Sequence, residues 1–301
     1  MVRLPEQEEV DLSTMYPEQA DPSKILGQHE LILLYGPGGT GKTHTLLTAP
    51  KPLWILTPGG RNEVKPMFGP SFIKKHGKIW KDVHITQVRE SREKGQMTDN
   101  PTGYDQCCDA VDAFLEWNDK NGIGTATIAV DNATRIEEYM MNKAIMAEYH
   151  LASTKEKTTL ARERAFGIRR PGDNTYGGAQ SFMDRWVNWL AELPFHLVFV
   201  AHDYRTYDKV GENSREKTLK SVEPLFVGAQ RTSVPNKFDN VWYALTQGGG
   251  RSQTWSVQTV RDETYYAKTR VGGIFSEYVR DPNLTEMIGE LSQHAKELEA
   301  A

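Results

Sequence analysis

Leu31-Ile32-Leu33-Leu34-Tyr35-Gly36-Pro37-Gly38-Gly39-Thr40-Gly41-Lys42-Thr43-His44 is the stretch that decides the fold. Its first five residues are a short apolar run ended by glycine, the pattern of a strand buried on both faces. Thr43 to Thr48 then opens a helix. Between the two, Gly36-x-x-x-x-Gly41-Lys42-Thr43 fits G-x-x-x-x-G-K-[ST] in the strand–loop–helix context that gives the pattern its meaning. The glycines let backbone N–H groups converge on one anion without side-chain clash. The opening helix points its positive end at the same place. Lys42 is then placed to reach the outer phosphates of a nucleoside triphosphate, and the Thr43 hydroxyl to sit on Mg2+. The stretch predicts binding of ATP with magnesium through Gly36 to His44.

Working outward, further apolar runs occur at Pro52–Thr57, Val83–Val88, Ala126–Val130 and Phe195–Ala201. Helical patterns lie between them at Tyr104–Trp117, Ala133–Leu151 and Ala179–Leu193. Alternation of near-continuous apolar strands with helices predicts an α/β fold, a mostly parallel sheet with helices on both faces. Past residue 203 the texture changes. A polar loop to Ser221 precedes short runs at Val241–Leu245, Gln253–Thr259 and Thr264–Lys268, which read as antiparallel strands added at a sheet edge. A last helix runs from Asn283. The expected organisation is an acidic arm over 1–29, a nucleotide-binding core over 30–285 and a C-terminal helix or tail over 286–301.

Three features outside the loop carry chemistry. Asp131 ends the run Thr127-Ile128-Ala129-Val130, at the strand tip where open α/β sheets bind ligands, and is the expected partner of the magnesium. His202 ends the run Leu197–Ala201 and can present a hydrogen-bond donor to the γ-phosphate from a neighbouring tip. Lys268 and Arg270 are spaced by two, so they project to the same side of an extended chain. They lie too far along the fold to reach their own nucleotide, and suit a role on a neighbour's. Asn236-Lys237-Phe238-Asp239 matches a guanine-reading pattern. No apolar strand precedes it, however, and Asp131 is followed by Asn132-Ala133-Thr134 without the glycine a GTPase uses, so the match reads as chance.

The 301 residues carry a net charge of −4, which is no footprint for a chain coated in nucleic acid. The charge is uneven: residues 1–30 are net −5, 61–94 net +5 and 151–182 net +3. Local basic patches bind phosphate backbones even when the whole is acidic. No apolar run has the length to cross a bilayer, and Met1–Glu9 lacks a signal peptide's basic and apolar regions, so a cytoplasmic location is expected. The two cysteines, Cys107 and Cys108, are adjacent on a helical pattern and read as packing residues.

The order of Gly36–Thr43, Ile128–Asn132, Phe199–Asp203 and Ala267–Arg270 resembles the RecA superfamily of P-loop ATPases. More closely it looks like phage-encoded AAA-type nucleotide-binding proteins, including the Sak-type single-strand annealing and recombination ATPases. The resemblance implies a RecA-like core and a homo-oligomer, ring or filament, with nucleotide at subunit interfaces. It makes Lys268 and Arg270 residues that reach across to the next subunit. It also implies a single-stranded DNA ligand, faced by Ser153–Gly178 with Lys155, Lys157, Arg162, Arg164, Arg169, Arg170 and Tyr176, and by Asp203–Ser221. Cations for phosphates with an aromatic for stacking suit single strands. Phage recombination or replication proteins are the implied partners. One departure stands out. RecA-like enzymes place a catalytic glutamate just after the second strand, whereas here the strand ends Leu56-Thr57-Pro58-Gly59-Gly60 and the first acid is Glu63, with Glu90 after the third strand as the other candidate. Without such a base, hydrolysis is expected to be slow. The alternatives are a nucleotide-dependent assembly or scaffold protein without nucleic acid, and a helicase or packaging-type motor.

Overall fold

The computed structural model describes residues 29–59, 65–69, 73–74, 77–93, 96–97, 100–124, 126–151, 173–209, 217–248 and 254–300. β1 (Leu31–Tyr35) leads through the glycine loop to α1 (Lys42–Leu46), followed by β2 (Leu53–Pro58) and β3 (Val83–Val88). A small ribbon, β4 (Arg92–Glu93) with β5 (Gln96–Met97), precedes α2 (Gly103–Asn121) and β6 (Thr127–Asp131). Next come α3 (Ala133–Leu151), α4 (Asp173–Ala191) and β7 (His196–Ala201). The hairpin β8 (Asp203–Lys209) and β9 (Lys217–Pro224) leads into α5 (Gln230–Lys237) and β10 (Asn240–Gln247). The chain closes with β11 (Thr254–Gln258), β12 (Lys268–Thr269), β13 (Tyr278–Arg280) and α6 (Leu284–Ala300).

The main sheet has the order β13-β11-β10-β1-β7-β6-β2-β3, with β12 also pairing on β10. The strands from β10 through β3 are parallel, and β11, β12 and β13 are antiparallel. Pleating divides each apolar run between two cores. Leu33, Tyr35, Trp54, Leu56, Ile128, Val130, Leu197 and Phe199 face α2, α3 and α4 through Val111, Phe114, Ile136, Met140, Met183 and Trp186. Ile32, Leu34, Leu53, Ile55, Ala129, Val198 and Val200 face α1 and α6 through Leu46, Leu47, Leu284, Met287 and Ile288. Burial on both faces explains why these strands read as continuous apolar runs rather than alternating ones. Cys107 is buried in the first core, and burial pushes its thiol pKa far up, in keeping with a packing role.

Three elements differ from the sequence pattern. β10 is not an edge addition but a parallel neighbour of β1, with Leu33 opposite Val241 and Tyr35 opposite Tyr243. The crossover it needs is α5, a polar eight-residue helix with Pro235 inside it, whose composition hides it. The expected polar loop Asp203–Ser221 is the β8–β9 hairpin, with a register shift at Thr206/Tyr207. Its residues are exposed or half-buried except Val222 and Pro224 at its base, too few to impose an apolar alternation. α4 begins at Asp173 and so takes in Gly177 and Gly178. A Cβ on Gly178 would lie 3.3 Å from the Ala144 side chain, so this glycine allows α3 and α4 to approach closely. No described helix is long and apolar enough to cross a membrane.

Candidate nucleotide site

The glycine loop leaves the carboxyl end of β1, between β7 and β10, where the strand order reverses and α/β sheets bind ligands. Gly36 has φ +151°, and a Cβ there would lie 2.4 Å from the Ala244 carbonyl oxygen of β10, so no side chain fits. Gly39 and Gly41 have φ +81° and +80°, the left-handed region that glycine enters without strain. The Thr40 hydroxyl donates to the Pro37 carbonyl at 2.8 Å and pins the turn. α1 is only five residues long. Loop amides and Lys42, rather than a long helix dipole, therefore supply most of the positive potential.

Lys42 folds back onto its own loop, its Nζ donating to the Gly36 and Pro37 carbonyls at 2.6 Å each. Burial lowers its pKa to about 8, against the nearby charges of Asp131 and Asp203, which raise it. The Thr43 hydroxyl donates to Asp131 Oδ2 at 2.9 Å, so the two oxygens expected at a magnesium ion already meet. A hydroxyl and one carboxylate suit Mg2+, which takes hard oxygen ligands and keeps water and phosphate oxygens for its other positions. Asn132 Oδ1 accepts the Arg135 N–H at 2.9 Å and fixes the start of α3. Its Nδ2 lies 3.5 Å from His202 Nε2. The His202 N–H donates to Thr134 Oγ1 at 3.3 Å, and the His202 carbonyl accepts the Leu225 N–H at 2.8 Å. The tip of β7 is thus tied to the start of α3 and to the base of the hairpin. These groups surround one cavity of about 330 Å3, lined among others by Gly38, Lys42, Thr43, Asp131, His202 and Trp255.

The sequence pattern does not single out Trp255. It stands on β11, half-buried, with its ring 4.2 Å from that of His44. The only sequence signal is a large aromatic in a short strand whose other apolar residue is Val257.

The other expected residues lie elsewhere. Lys268 and Arg270 are close together, both donating to the Asn236 carbonyl, at 3.4 and 3.1 Å. Arg270 also pairs with Asp239 at 3.3 Å. By register they sit beside Val241 and Asp239, at the amino end of the parallel strands. That is roughly 13 Å of strand away from the glycine loop. Asp239 accepts the Leu31 N–H at 3.1 Å and Lys237 pairs with Asp184, so the guanine-reading match serves the fold at the end opposite the cavity. Glu90 Oε1 accepts the N–H groups of Ser91, Thr102 and Gly103 at 2.9–3.1 Å, and so caps α2. These bonds hold the carboxylate at the edge strand β3, two strands from Asp131. The tip of β2 carries Thr57, whose buried Oγ1 has no partner among the described residues. Glu63 lies outside the described residues, as do Lys155, Lys157, Arg162, Arg164, Arg169 and Arg170. Tyr176 is exposed on the first turn of α4.

Solved structures similar to this chain include a KaiC-like protein from Pyrococcus horikoshii, 12% identical with a TM-score of 0.41, the match covering 85% of this chain and 84% of that one. The flagellar accessory protein FlaH from Methanocaldococcus jannaschii is likewise 12% identical with a TM-score of 0.41, covering 86% of this chain and 88% of that one. No curated protein sequence matches. The AAA domain model matches residues 29–271, which takes in β1, the glycine loop, Asp131, His202 and the Lys268–Arg270 pair. On that match and on the loop that carries Lys42 and Thr43, the chain belongs to the AAA domain family of P-loop ATPases.

Proposed function

We propose that the protein is a RecA-like ATPase that binds and slowly hydrolyses ATP at subunit interfaces and grips single-stranded DNA, acting in phage recombination or replication in the host cytoplasm. The observation that carries the ATPase part is the convergence of Lys42, Thr43, Asp131 and His202 on one cavity at the strand tips. Thr43 and Asp131 would hold Mg2+, which would supply charge neutralisation at the phosphates. Lys42 exchanges its two loop carbonyls for phosphate oxygens, and a triphosphate restores the full positive charge that burial opposes. His202 donates to the γ-phosphate and so reports whether it is present. Because the chain passes straight from His202 into β8, a shift of that residue is passed to the hairpin. Lys268 and Arg270 act on the neighbouring subunit's γ-phosphate, which requires that they leave the Asn236 carbonyl on assembly. The capping role of Glu90 is what supports slow turnover, since it removes one of the two candidate bases.

The single-stranded DNA ligand rests on the basic character of residues 151–182 and on the hairpin that follows the γ-phosphate contact. The net charge of −4 favours the second reading, a nucleotide-gated assembly protein without nucleic acid. The test is ATP hydrolysis by the full chain with and without single-stranded DNA, at low and moderate salt, beside Lys42→Ala. Stimulation that fades with salt is expected, since neutralising several phosphates makes affinity fall steeply as salt rises. Lack of both stimulation and DNA binding in ATP transfers the function to the second reading. Tight ATP binding by Lys42→Ala removes the loop assignment altogether.

A further inference from the structure

The cavity has two chemically different ends. On the β6 and β7 side it presents Asp131, Asn132 and His202; on the β11 side it presents Trp255 and His44. We infer that His44 and Trp255 form the subsite for the nucleoside of the bound triphosphate, an aromatic face that holds base and ribose. This rests on the nucleotide-binding reading above and names the group that the loop itself does not recognise.

Trp255 is two residues from Val257 on β11 and so shares its face; Val257 packs in the α1 and α6 core, so the indole emerges on the face of the sheet that carries α1. A Cβ on Gly41 would lie 2.6 Å from the Trp255 ring, so the indole rests flush on the backbone of the phosphate loop. His44 follows Thr43 directly, and its ring lies 4.2 Å from the indole at 39°. Oxygen ligands and a cation crowd one end, which suits the charged phosphates. Extending a nucleoside triphosphate away from that end brings its base to the aromatic pair. Trp255 is also half-buried at the cavity wall, whereas Trp54, Trp186 and Trp242 are fully buried in the cores, so part of its indole remains accessible from the cavity. Stacking tolerates every base, because each has a π-face. The subsite therefore accepts ATP and GTP with affinities within several-fold of each other.

Calorimetric titration of the full chain with magnesium ATP and with magnesium tripolyphosphate, in wild type, Trp255→Ala and Trp255→Phe, tests this. Trp255→Ala is expected to weaken ATP binding by roughly ten-fold or more, the scale of a lost base stack. Tripolyphosphate binding stays unchanged, and Trp255→Phe keeps most of the ATP affinity. Unchanged ATP affinity in Trp255→Ala overturns the subsite while leaving the phosphate loop intact. So does an equal loss for both ligands, which would make Trp255 a prop for the loop rather than a ligand contact. If wild type binds neither ligand, the phosphate-loop reading fails and the subsite fails with it.

Discussion

Glu137 offers a pH experiment whose sign is set by the structure. It lies on α3, 4% exposed, and its Oε1 accepts the Val227 N–H at 2.6 Å. Burial raises its pKa from 4.5 to about 7, outweighing that hydrogen bond and the charge of Arg231, both of which lower it. Between those two values the folded chain keeps the proton that the unfolded chain has lost. Stability from this group is therefore complete below pH 4.5, declines as pH rises to about 7, and stays at its lower level beyond. At 1.36 kcal/mol per pKa unit the decline is on the order of 3 kcal/mol. His196 has the opposite effect. It is held neutral by burial with its pKa lowered from 6.5 to about 4, so stability rises with pH across that window. The two trends overlap and largely cancel in wild type, so the informative quantity is a difference between variants. Glu137→Gln can still accept the Val227 N–H but cannot ionise. Urea unfolding at several pH values from 4.5 to 8 should show the variant close to wild type at the acid end. By pH 8 it should be more stable by on the order of 3 kcal/mol. A difference that is flat with pH, or a variant less stable at pH 8, refutes the reasoning. Glu137 also matters for the site: the segment it holds contains Leu225, whose N–H bonds the His202 carbonyl, so the base of the hairpin is anchored through a titrating carboxyl.

Gly41→Ala should destabilise the chain by roughly 2–4 kcal/mol, combining a left-handed φ with a Cβ driven into the Trp255 ring. Adding Trp255→Ala should return the clash component, leaving about 1–2 kcal/mol, and strictly additive costs would show that the ring does not rest on the loop. Arg270→Ala removes a half-exposed ion pair with Asp239, so stability should change by less than about 1 kcal/mol. Turnover by the assembled protein should nevertheless fall at least ten-fold with nucleotide binding intact; unchanged turnover would remove the role in trans.

Local pattern sufficed where one residue class makes one structure. β1 and β3 have the bounds read from the sequence, because a short apolar run closed by glycine or charge has few other fates in a sheet buried on both sides. The glycine loop is legible for a stronger reason: the pattern Gly36-x-x-x-x-Gly41-Lys42-Thr43 is contiguous in the chain and needs no long-range partner to be recognised. Pattern failed where composition and structure part company. α5 is polar and contains Pro235, so neither amphipathicity nor propensity announces it, and the parallel placement of β10 went with it. The β8–β9 hairpin is buried only at Val222 and Pro224 near its base, too few positions to impose an alternation, so its sequence reads as a loop.

The sequence by itself determined an α/β fold around a phosphate loop, with Asp131 and His202 on strand tips, because buried parallel strands and glycine turns follow from the nearest neighbours in the chain. Tertiary structure alone decided what surrounds that loop. Pairing of β11 with β10 carries Trp255, more than two hundred residues from Gly41, onto the loop backbone. Caps on α2 commit Glu90 to the far edge, and the register of β12 turns Lys268 and Arg270 to the opposite end of the sheet. Strand order and register are long-range choices, settled by which faces bury together, and no local pattern encodes them.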